Sequence, residues 1–467
     1  MLRVALADAR THLTLRASFA LRALISAYDS DVQGAIALLR RGLTVAPARD
    51  DEAAYLRDLL AMYLVSTGEF SAYEQVVREQ TNPPARLVPA TASLQSVAHA
   101  VAGDAAASRT VAHAAMSGAR AMDDPLVLGR VLSRCALAAY YRHDYDAAHD
   151  LAIEGVHVFE MAGAYAAAST SYSVAAAVAQ SWNRDGVLAL EYYTQMLRNA
   201  ERGGHNALRR SALAACFGAA AEMYDVEKHA AFRKRLMSRP EREHYQEKFV
   251  LVIGDALGYG WNREFAAAES ALTACLAGGK MPAAETALVE ALLALVAAAR
   301  WDVARARNHS RAALKRTAEH CEGEPLHDRH FRELARVLAA AACFIIGDQV
   351  RGQRALSARF DAGHQYRELL NGGTIDIDRC PVLFRGYAQF ANVALECARE
   401  ARPKYNLTAA ELAILRALPH GATLGELALE LEKSKSTVGK QVESIYQKLN
   451  ARNRAQAIQH AREYGII

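Results

Sequence analysis

The chain has 467 residues, of which 52% are hydrophobic and 23% charged, a composition that excludes a disordered or low-complexity protein. Its formal net charge is +4 at pH 7, yet residues 401–467 alone contain ten Lys or Arg and six Asp or Glu, so the first 400 residues are neutral overall. Only the carboxy-terminal segment therefore has the charge expected of a partner for a polyanion.

Cysteine usage and hydropathy exclude further classes of protein. Seven cysteines are scattered without Cys-x-x-Cys pairs, which predicts buried thiols in a reducing compartment. No apolar run reaches the ~18 residues of a membrane span. Arg3, Asp8, Arg10 and His12 interrupt any signal-peptide core. These features predict a soluble, cytoplasmic protein that makes no membrane contact.

Residues 1–400 read as an all-α region, because alanine and leucine dominate and strand-like alternation is almost absent. A short polar or Gly-Asp turn recurs at intervals of roughly 35 to 46 residues, which predicts about one helix hairpin per interval. The predicted turns are Asp29-Ser30-Asp31, Gly68-Glu69-Phe70, Gly103-Asp104, Asp144-Tyr145, Asn183-Arg184, Tyr224-Asp225, Asn262-Arg263, Trp301-Asp302 and Gly347-Asp348.

The clearest hairpin runs from Leu137 to Ile153, where an Ala-rich helix, a polar turn and the segment Tyr145-Asp146-Ala147-Ala148 follow one another. This pattern resembles a tetratricopeptide repeat, although its period is longer than the usual length of about 34 residues. The resemblance extends to the helical arrays of large LuxR-type activators and implies an α-solenoid. The alternative is an irregular all-α domain.

Two aromatic pairs, Tyr140-Tyr141 and Tyr192-Tyr193, are each expected to place at least one ring outside the core. On the concave side of a solenoid such rings would hold a peptide, protein or small-molecule effector. After the repeats, the stretch 371–378 interrupts the helical pattern, a last helix follows near Pro381–Ala401, and Arg402–Tyr405 reads as a linker. The predicted domains are therefore residues 1–400 and residues 401–467.

The carboxy-terminal segment carries four signals for the start of a helix. Thr408, Thr423 and Asn453 each stand three residues before a Glu or Gln, the spacing of a capping box, and Ser434 is a plain N-cap. The second and third helices are separated by only a few residues. This is the spacing of a helix-turn-helix, whose second helix enters the major groove of DNA.

Residues across this segment resemble the LuxR/GerE-type helix-turn-helix family. The matching residues are Leu407-Thr408, Glu411, Ile414-Leu415, Gly421, Glu426-Leu427-Ala428, Leu431, Ser434, Thr437-Val438, Val442, Ile445, Lys448-Leu449, Arg454 and Ala457. The resemblance implies a four-helix domain in which Thr437 to Lys448 form the recognition helix. It also implies that the last helix, Ala455 to Tyr464, pairs two subunits.

The predicted DNA-binding residues lie on and around this recognition helix. They are Ser434, Lys435, Ser436, Thr437, Gly439, Lys440, Gln441, Glu443, Ser444, Lys448, Arg452 and Arg454. Apolar residues at helical spacing, from Val438 to Leu449, are assigned to the core instead. Gly439 and Glu443 depart from the family pattern: the first removes a basic side chain, and the second places a carboxylate where it either selects cytosine or weakens binding.

The predicted DNA-binding residues differ in the part of the DNA that each is expected to contact. Lys440, Gln441 and Ser444 are assigned to DNA contact, with an ordinary solvated face as the alternative, and the hydroxyl residues at the helix start are expected to cap it and touch phosphate. Lys435, Lys448 and Arg452 are assigned to phosphates. Arg454 is assigned equally to DNA and to an ion pair at a helix start.

No catalytic or cofactor site is predicted. The chain lacks G-x-x-x-x-G-K-[ST], G-x-S-x-G and H-E-x-x-H, and the string Gly278-Gly279-Lys280-Met281 does not make a phosphate cradle. The group of His320, Cys321, His327 and His330 has the right ligand types but no paired spacing, so surface histidines are favoured over a metal site. The sequence predicts no enzyme, no cofactor and no metal.

Two functional hypotheses follow. The preferred one is a transcriptional regulator whose helical array senses an effector and whose carboxy-terminal domain binds double-stranded promoter DNA, as a homodimer at two half-sites. The alternative is a protein-interaction scaffold whose helix-turn-helix-like tail has lost DNA binding, an idea that Gly439 and Glu443 keep open.

Overall fold

The computed structural model describes most of the chain. The described residues are 15–28, 31–45, 50–66, 69–79, 84–182, 185–238, 245–278, 281–318, 326–357, 370–371, 374–377, 379–401, 407–420, 423–463 and 466–467. The predicted linker 402–405, the predicted turns at 29–30, 68 and 183–184, and His320 and Cys321 lie outside these ranges.

Twenty-three α-helices occupy the described ranges. Twelve of them precede residue 240: α1 (Leu15–Tyr28), α2 (Val32–Leu43), α3 (Asp50–Ser66), α4 (Phe70–Arg78), α5 (Val88–Val101), α6 (Ala105–Arg120), α7 (Pro125–Tyr141), α8 (Tyr145–Met161), α9 (Tyr165–Ser181), α10 (Gly186–Arg202), α11 (Asn206–Glu222) and α12 (Val226–Met237). The others are α13 (Tyr245–Trp261), α14 (Phe265–Ala277), α15 (Ala283–Ala299), α16 (Val303–Ala318), α17 (Leu326–Ile345), α18 (Gln349–Ser357), α19 (Arg385–Ala401), α20 (Ala409–Ala417), α21 (Leu424–Glu430), α22 (Lys435–Lys448) and α23 (Arg454–Glu463). Short 3-10 turns occur at Ala85–Leu87, Val382–Phe384 and Leu418–His420.

The turns between helices repeat one backbone geometry. After α7, His143 adopts a φ of 61°, its N–H donates to the Tyr140 carbonyl at 3.0 Å, and the next N–H, of Asp144, donates to Ala139 at 3.0 Å. This pair of hydrogen bonds satisfies carbonyls that the end of a helix would otherwise leave free. The same pair recurs at Gly103, Gly163, Gly204, Tyr224, Arg263, Trp301 and Gly347.

Six of the predicted turns coincide with this geometry, which confirms the predicted hairpin spacing: those at Gly103, Asp144, Tyr224, Arg263, Trp301 and Gly347. Each new helix then starts where the turn ends. Asp104 and Asp225, for example, accept a hydrogen bond from the backbone N–H three residues later, at 3.0 Å in both cases. These caps satisfy the free donors of the next helix.

Consecutive helices pack through small residues. Alanines along α7, α9 and α11 are fully buried, so neighbouring backbones approach closely. The closest approaches use glycine: a Cβ added at Gly260 would lie 2.5 to 2.7 Å from the Phe390 ring, and one at Gly254 would overlap the Phe217 ring. The helical array is therefore an all-α solenoid-like structure held by tight helix-to-helix packing.

A buried ion pair joins three helices near the start of the array. Arg134 on α7 donates to both carboxylate oxygens of Asp58 on α3, at 2.9 and 3.1 Å, and to the Ala90 carbonyl of α5 at 3.1 Å. Burial opposes ionisation of Asp58, but the charge and hydrogen bonds of Arg134 outweigh it and lower the pKa of Asp58. The pair fixes the relative position of these helices.

Strand structure within the described ranges is limited to a small hairpin. β1 (Leu370–Asn371) and β2 (Thr374–Ile375) pair antiparallel, with Leu370 opposite Ile375 and Asn371 opposite Thr374. On its other edge, Ile375 exchanges two hydrogen bonds of 2.8 Å with the side-chain amide of Asn392 on α19. The described residues 371 and 374–377 are therefore not helical, as predicted, and α19 follows them.

Contacts group the chain into two compact units. The first takes its described residues from Met1–Gly254, Glu322–His327 and Pro381–Leu383, and the second from Asp255–Cys321, Asp328–Cys380 and Phe384–Ile467. Within the second unit, α20 to α23 share a hydrophobic core of their own, built on Ile414, Leu427, Val438 and Ile445. None of the helices in the described part of the chain combines the length and apolarity needed to cross a bilayer.

Candidate DNA-binding site

Helices α21 and α22 are joined by a turn of four residues. Thr423 and Glu426 form a capping box at the start of α21, with the Glu426 carboxylate 2.6 Å from the Thr423 N–H. Glu432 in the turn has a φ of 51°, and Ser434 caps α22 by accepting from the Thr437 N–H at 3.1 Å. Local sequence therefore fixes both ends of the turn and the start of the second helix.

One face of α22 belongs to the core of the domain. Val438, Val442, Ile445 and Leu449 are all buried, between 0% and 6% exposed, as the apolar spacing predicted. They pack with Leu415 and Ala457 from the neighbouring helices. Burial of this face orients the opposite face of α22 toward solvent.

The outward face of α22 carries polar and charged side chains. Ser434, Lys435, Ser436, Thr437, Lys440 and Glu443 are exposed. Among the described residues, the side chains of Lys435, Lys440 and Glu443 make no hydrogen bond or ion pair. The hydroxyls of Ser434 and Thr437 lie 2.7 Å apart at the helix N-terminus. The N-terminal half of α22 thus presents unpaired cations, hydroxyls and free backbone N–H groups together.

Gly439 lies in the first half of the same helix. A Cβ added there would meet no atom within 4 Å, apart from its own neighbours. Packing therefore does not require glycine at this position. Its effect on the helix is a loss of about 1 kcal/mol of propensity relative to alanine.

The far end of α22 is tied to α20 through Glu411. The Glu411 carboxylate is 4% exposed and accepts from Lys448 Nζ at 2.7 and 2.9 Å, from Ser444 Oγ at 2.6 Å and from the Thr408 N–H at 2.6 Å. Burial raises the pKa of this carboxyl, but the hydrogen bonds from Lys448, Ser444 and Thr408 outweigh it and lower the pKa to about 2. Ser444 and Lys448, both predicted DNA contacts, are thus engaged inside the domain.

The remaining predicted site residues also have partners within the domain. Gln441 accepts from Lys433 Nζ at 3.2 Å, and the Arg452 N–H donates to the Gln456 side chain at 2.9 Å. Arg454 donates from Nε to the Leu418 carbonyl at 3.2 Å, so its partner is the end of a helical segment.

Reasoning from sequence missed two residues of this arrangement. Glu411 was recognised only as the last member of a capping box, a role it does play, with the Thr408 hydroxyl accepting from its N–H at 3.3 Å. Its bond to Lys448 spans 37 residues and leaves no local signal. Lys433 was assigned no role, because it lies in the turn before α22, where helical spacing gives no signal for its bond to Gln441.

No group of three or more His, Cys, Asp or Glu side chains in the described part of the chain is arranged to hold a metal ion. The helical array does contain a polar groove of about 620 Å³ between α8, α9 and α10, lined in part by Glu160, Tyr172 and Arg198. Asn199 lies at its base, 3% exposed, and donates to Glu160 at 2.9 Å.

No curated protein matches the sequence. One solved structure that the comparison matches is the signal transduction ATPase with numerous domains (STAND) protein with a tetratricopeptide repeat sensor from Pyrococcus horikoshii, 12% identical, with a TM-score of 0.39. The match covers 79% of this chain and 52% of that one, so the chain spans about half its length.

A family comparison matches the carboxy-terminal part only. Residues 405–461 match GerE, described as bacterial regulatory proteins of the luxR family. This range contains α20, α21, α22 and most of α23, and so includes the capped turn and the outward face of α22 described above. The carboxy-terminal domain of this chain is therefore a GerE-type helix-turn-helix domain of the luxR family of bacterial regulatory proteins.

Proposed function

We propose that this chain is a transcriptional regulator in which residues 401–467 bind promoter DNA and residues 1–400 sense an effector. The observation that carries the proposal is the exposed, unpaired cationic face of α22, opposite its buried core face, within a luxR-family domain. A helix of this kind fits the major groove, where its polar side chains reach base edges.

The exposed residues of α22 divide into those assigned to DNA phosphates and those assigned to base edges. Lys435, Ser436 and Thr437 surround the N-terminus of α22, where free N–H groups and the helix dipole favour a phosphate. Lys440 and Glu443 lie farther along the exposed face and are assigned to bases, with Gln441 beside them. Gly439 leaves room for close approach of the duplex.

A second group positions the recognition helix. Ser444 and Lys448 hold the carboxylate of Glu411, and Arg454 holds the carbonyl of Leu418 at the end of α20. Ser434 caps the helix, and Arg452 lies just beyond its end, free to meet phosphate with its side chain. These contacts fix where the exposed face points relative to the rest of the domain.

Binding as a homodimer and effector sensing by the array complete the proposal. The polar groove at α8 to α10 supports a polar effector, since it offers guanidinium, carboxylate and amide groups at its surface. The effector would shift an equilibrium between states of the DNA-binding domain by binding one state more tightly. We assign the protein no enzymatic activity and place it in the cytoplasm.

The first experiment is selection of genomic fragments by the full-length protein, followed by affinity measurements with Lys440→Ala. A base contact predicts a loss of about 1 to 3 kcal/mol on the selected site. The matched control is Arg416→Ala, which removes the same charge from an exposed position on α20 of the same domain and should bind as the wild type does. With about four phosphate contacts per subunit, a plot of the logarithm of the dimer's binding constant against the logarithm of the salt concentration should have a slope of about −7.

The alternative is a protein-interaction scaffold, favoured by the unpaired Glu443 carboxylate on the outward face. A negative charge at this place repels phosphates unless a base donor meets it. The scaffold hypothesis would be supported if no duplex is enriched at low salt and Lys440→Ala leaves binding to protein partners unchanged.

A further inference from the structure

Helix α16 carries an unusual charge pattern for a helix of the array. Its 16 residues include five basic side chains and no acidic one: Arg305, Arg307, Arg311, Lys315 and Arg316. The helix packs on α15, which gives it one buried face, with Val303, Ala306, Ser310 and Ala313 buried. Its basic side chains therefore project from the remaining surface.

Some of these charges are already neutralised. Arg305 pairs with Glu269 of α14, and Arg307 lies 3.8 Å from the Asp348 carboxylate. Within the described part of the chain, Arg311, Lys315 and Arg316 make no ion pair or side-chain hydrogen bond. Arg311 and Lys315 are also exposed. The second half of α16 therefore offers cations that no described side chain neutralises.

The positions of these residues define a stripe that begins at the GerE-type domain. Arg307, Arg311 and Lys315 are spaced four residues apart, so they follow one side of α16, and we name them the basic stripe. Arg307 Nη2 donates to the Arg462 carbonyl at 2.9 Å, at the end of α23. Arg311 and Lys315 then lie about 6 and 12 Å farther along the axis of α16.

We propose that the basic stripe binds phosphates of the DNA that flanks the site read by α22. The inference rests on the proposed function, because it requires the GerE-type domain to be on DNA. Its warrant is charge complementarity: duplex DNA carries one negative charge for about every 1.7 Å of its axis, and unpaired cations on a surface joined to the domain would meet that charge. The array would then contribute to affinity without reading sequence.

The test compares full-length Arg311→Ala/Lys315→Ala with the wild type on one selected duplex of decreasing length. Each lost phosphate contact should reduce the steepness of the log–log salt slope by about 0.9, so the double variant should lose about 1.8 per subunit and about 3.6 as a dimer. The loss of affinity should be equal for specific and non-specific sequences. It should disappear once the flanks have been removed, because the stripe then has no phosphate to contact.

Arg305→Ala is the matched control. It removes one positive charge from the same helix, but from a residue that already pairs with Glu269, and Glu269 keeps its bond of 2.6 Å to Arg300. It should leave the salt slope unchanged, whereas Arg311→Lys should retain binding. The inference is overturned if the wild type binds its site and the double variant gives the same slope on every duplex. Failure of the wild type to bind any duplex would instead overturn the proposed function.

Discussion

Glu411 determines how α22 is held against α20. Its carboxylate receives hydrogen bonds from two side chains of α22, Ser444 and Lys448, and from the backbone of Thr408. Removing such a buried acceptor leaves donors without a partner, which costs more than the hydrogen bonds themselves contribute. We therefore expect this residue to influence the proposed DNA binding through the placement of α22 rather than through contact.

Replacement of Glu411 by Gln should lower the free energy of unfolding by about 2 kcal/mol, since hydrogen bonds to a charged group are lost. The effect depends on pH. Because the folded-state pKa is lowered from 4.5 to about 2, the stabilisation is present above about pH 4.5 and disappears as the pH falls through about 2. Urea unfolding of the wild type and of Glu411→Gln between pH 6 and 2, roughly the range in which carboxyls titrate, measures this pH dependence. If the difference in unfolding free energy between the two proteins stays constant as the pH falls, the ionised Glu411 carboxylate is not the source of the stabilisation.

The capping boxes at Thr408 and Thr423 could be predicted because both partners of each lie within four residues. The bond from Lys448 to Glu411 could not, since it depends on the rotation of α22 against α20, which tertiary packing sets. For the same reason, the sequence assigned Lys448 to phosphate. Charge and spacing alone do not reveal which side of a helix a lysine will occupy when both sides are partly exposed.

At the level of whole helices, the turns explain how much of the array was predictable. Those with polar residues flanking the turn, such as Tyr224-Asp225, were recognised from sequence, and the structure places them at helix ends. The turns at Gly163 and Gly204 were not assigned, although both carry glycine with a positive φ, the usual signal at the end of a helix. Gly163 and the pair Gly203-Gly204 each follow a helical segment, so glycine at a helix end predicts both turns.

Close packing between helices gives a prediction at this scale. Gly260→Ala on α13 should lower the free energy of unfolding by about 1 to 3 kcal/mol, because the added Cβ would overlap the Phe390 ring of α19. Gly439→Ala on α22 is the matched control. It makes the same chemical change in open space and should raise stability by about 1 kcal/mol.

Chemical denaturation of the two alanine variants tests the sign of each effect. Equal changes for Gly260→Ala and Gly439→Ala would mean that propensity, rather than the approach of α13 to α19, determines both.

For the whole molecule, the question is whether the GerE-type domain is stable by itself. Among the described residues, its core draws only on those between Leu407 and Ile467, with buried Ile414, Leu427 and Val438 at its centre. Since no described residue of the array belongs to that core, the domain should not need the array in order to fold.

Residues 401–467 alone should therefore fold cooperatively, as followed by circular dichroism during heating. A domain of this size buries less of its surface than a larger one, so its stability should be only a few kcal/mol. Glu411→Gln in the same fragment serves as the destabilised control. A fragment that shows no thermal transition would mean that contacts such as the one from Arg307 to Arg462 supply essential stability.

The repeated turn has a consequence for how such a chain can change its length. Helices α7 to α11 are each 17 residues long, and every turn among them that the structure describes uses the same two hydrogen bonds. Loss of α8 and α9 together would join α7 directly to α10. The helices on both sides of the new connection would have the same length, and the connection could use the same two-hydrogen-bond turn. Insertions and deletions of whole hairpins are thus the changes that this architecture tolerates at lowest cost, whereas a shift by a few residues would move every buried alanine off its face.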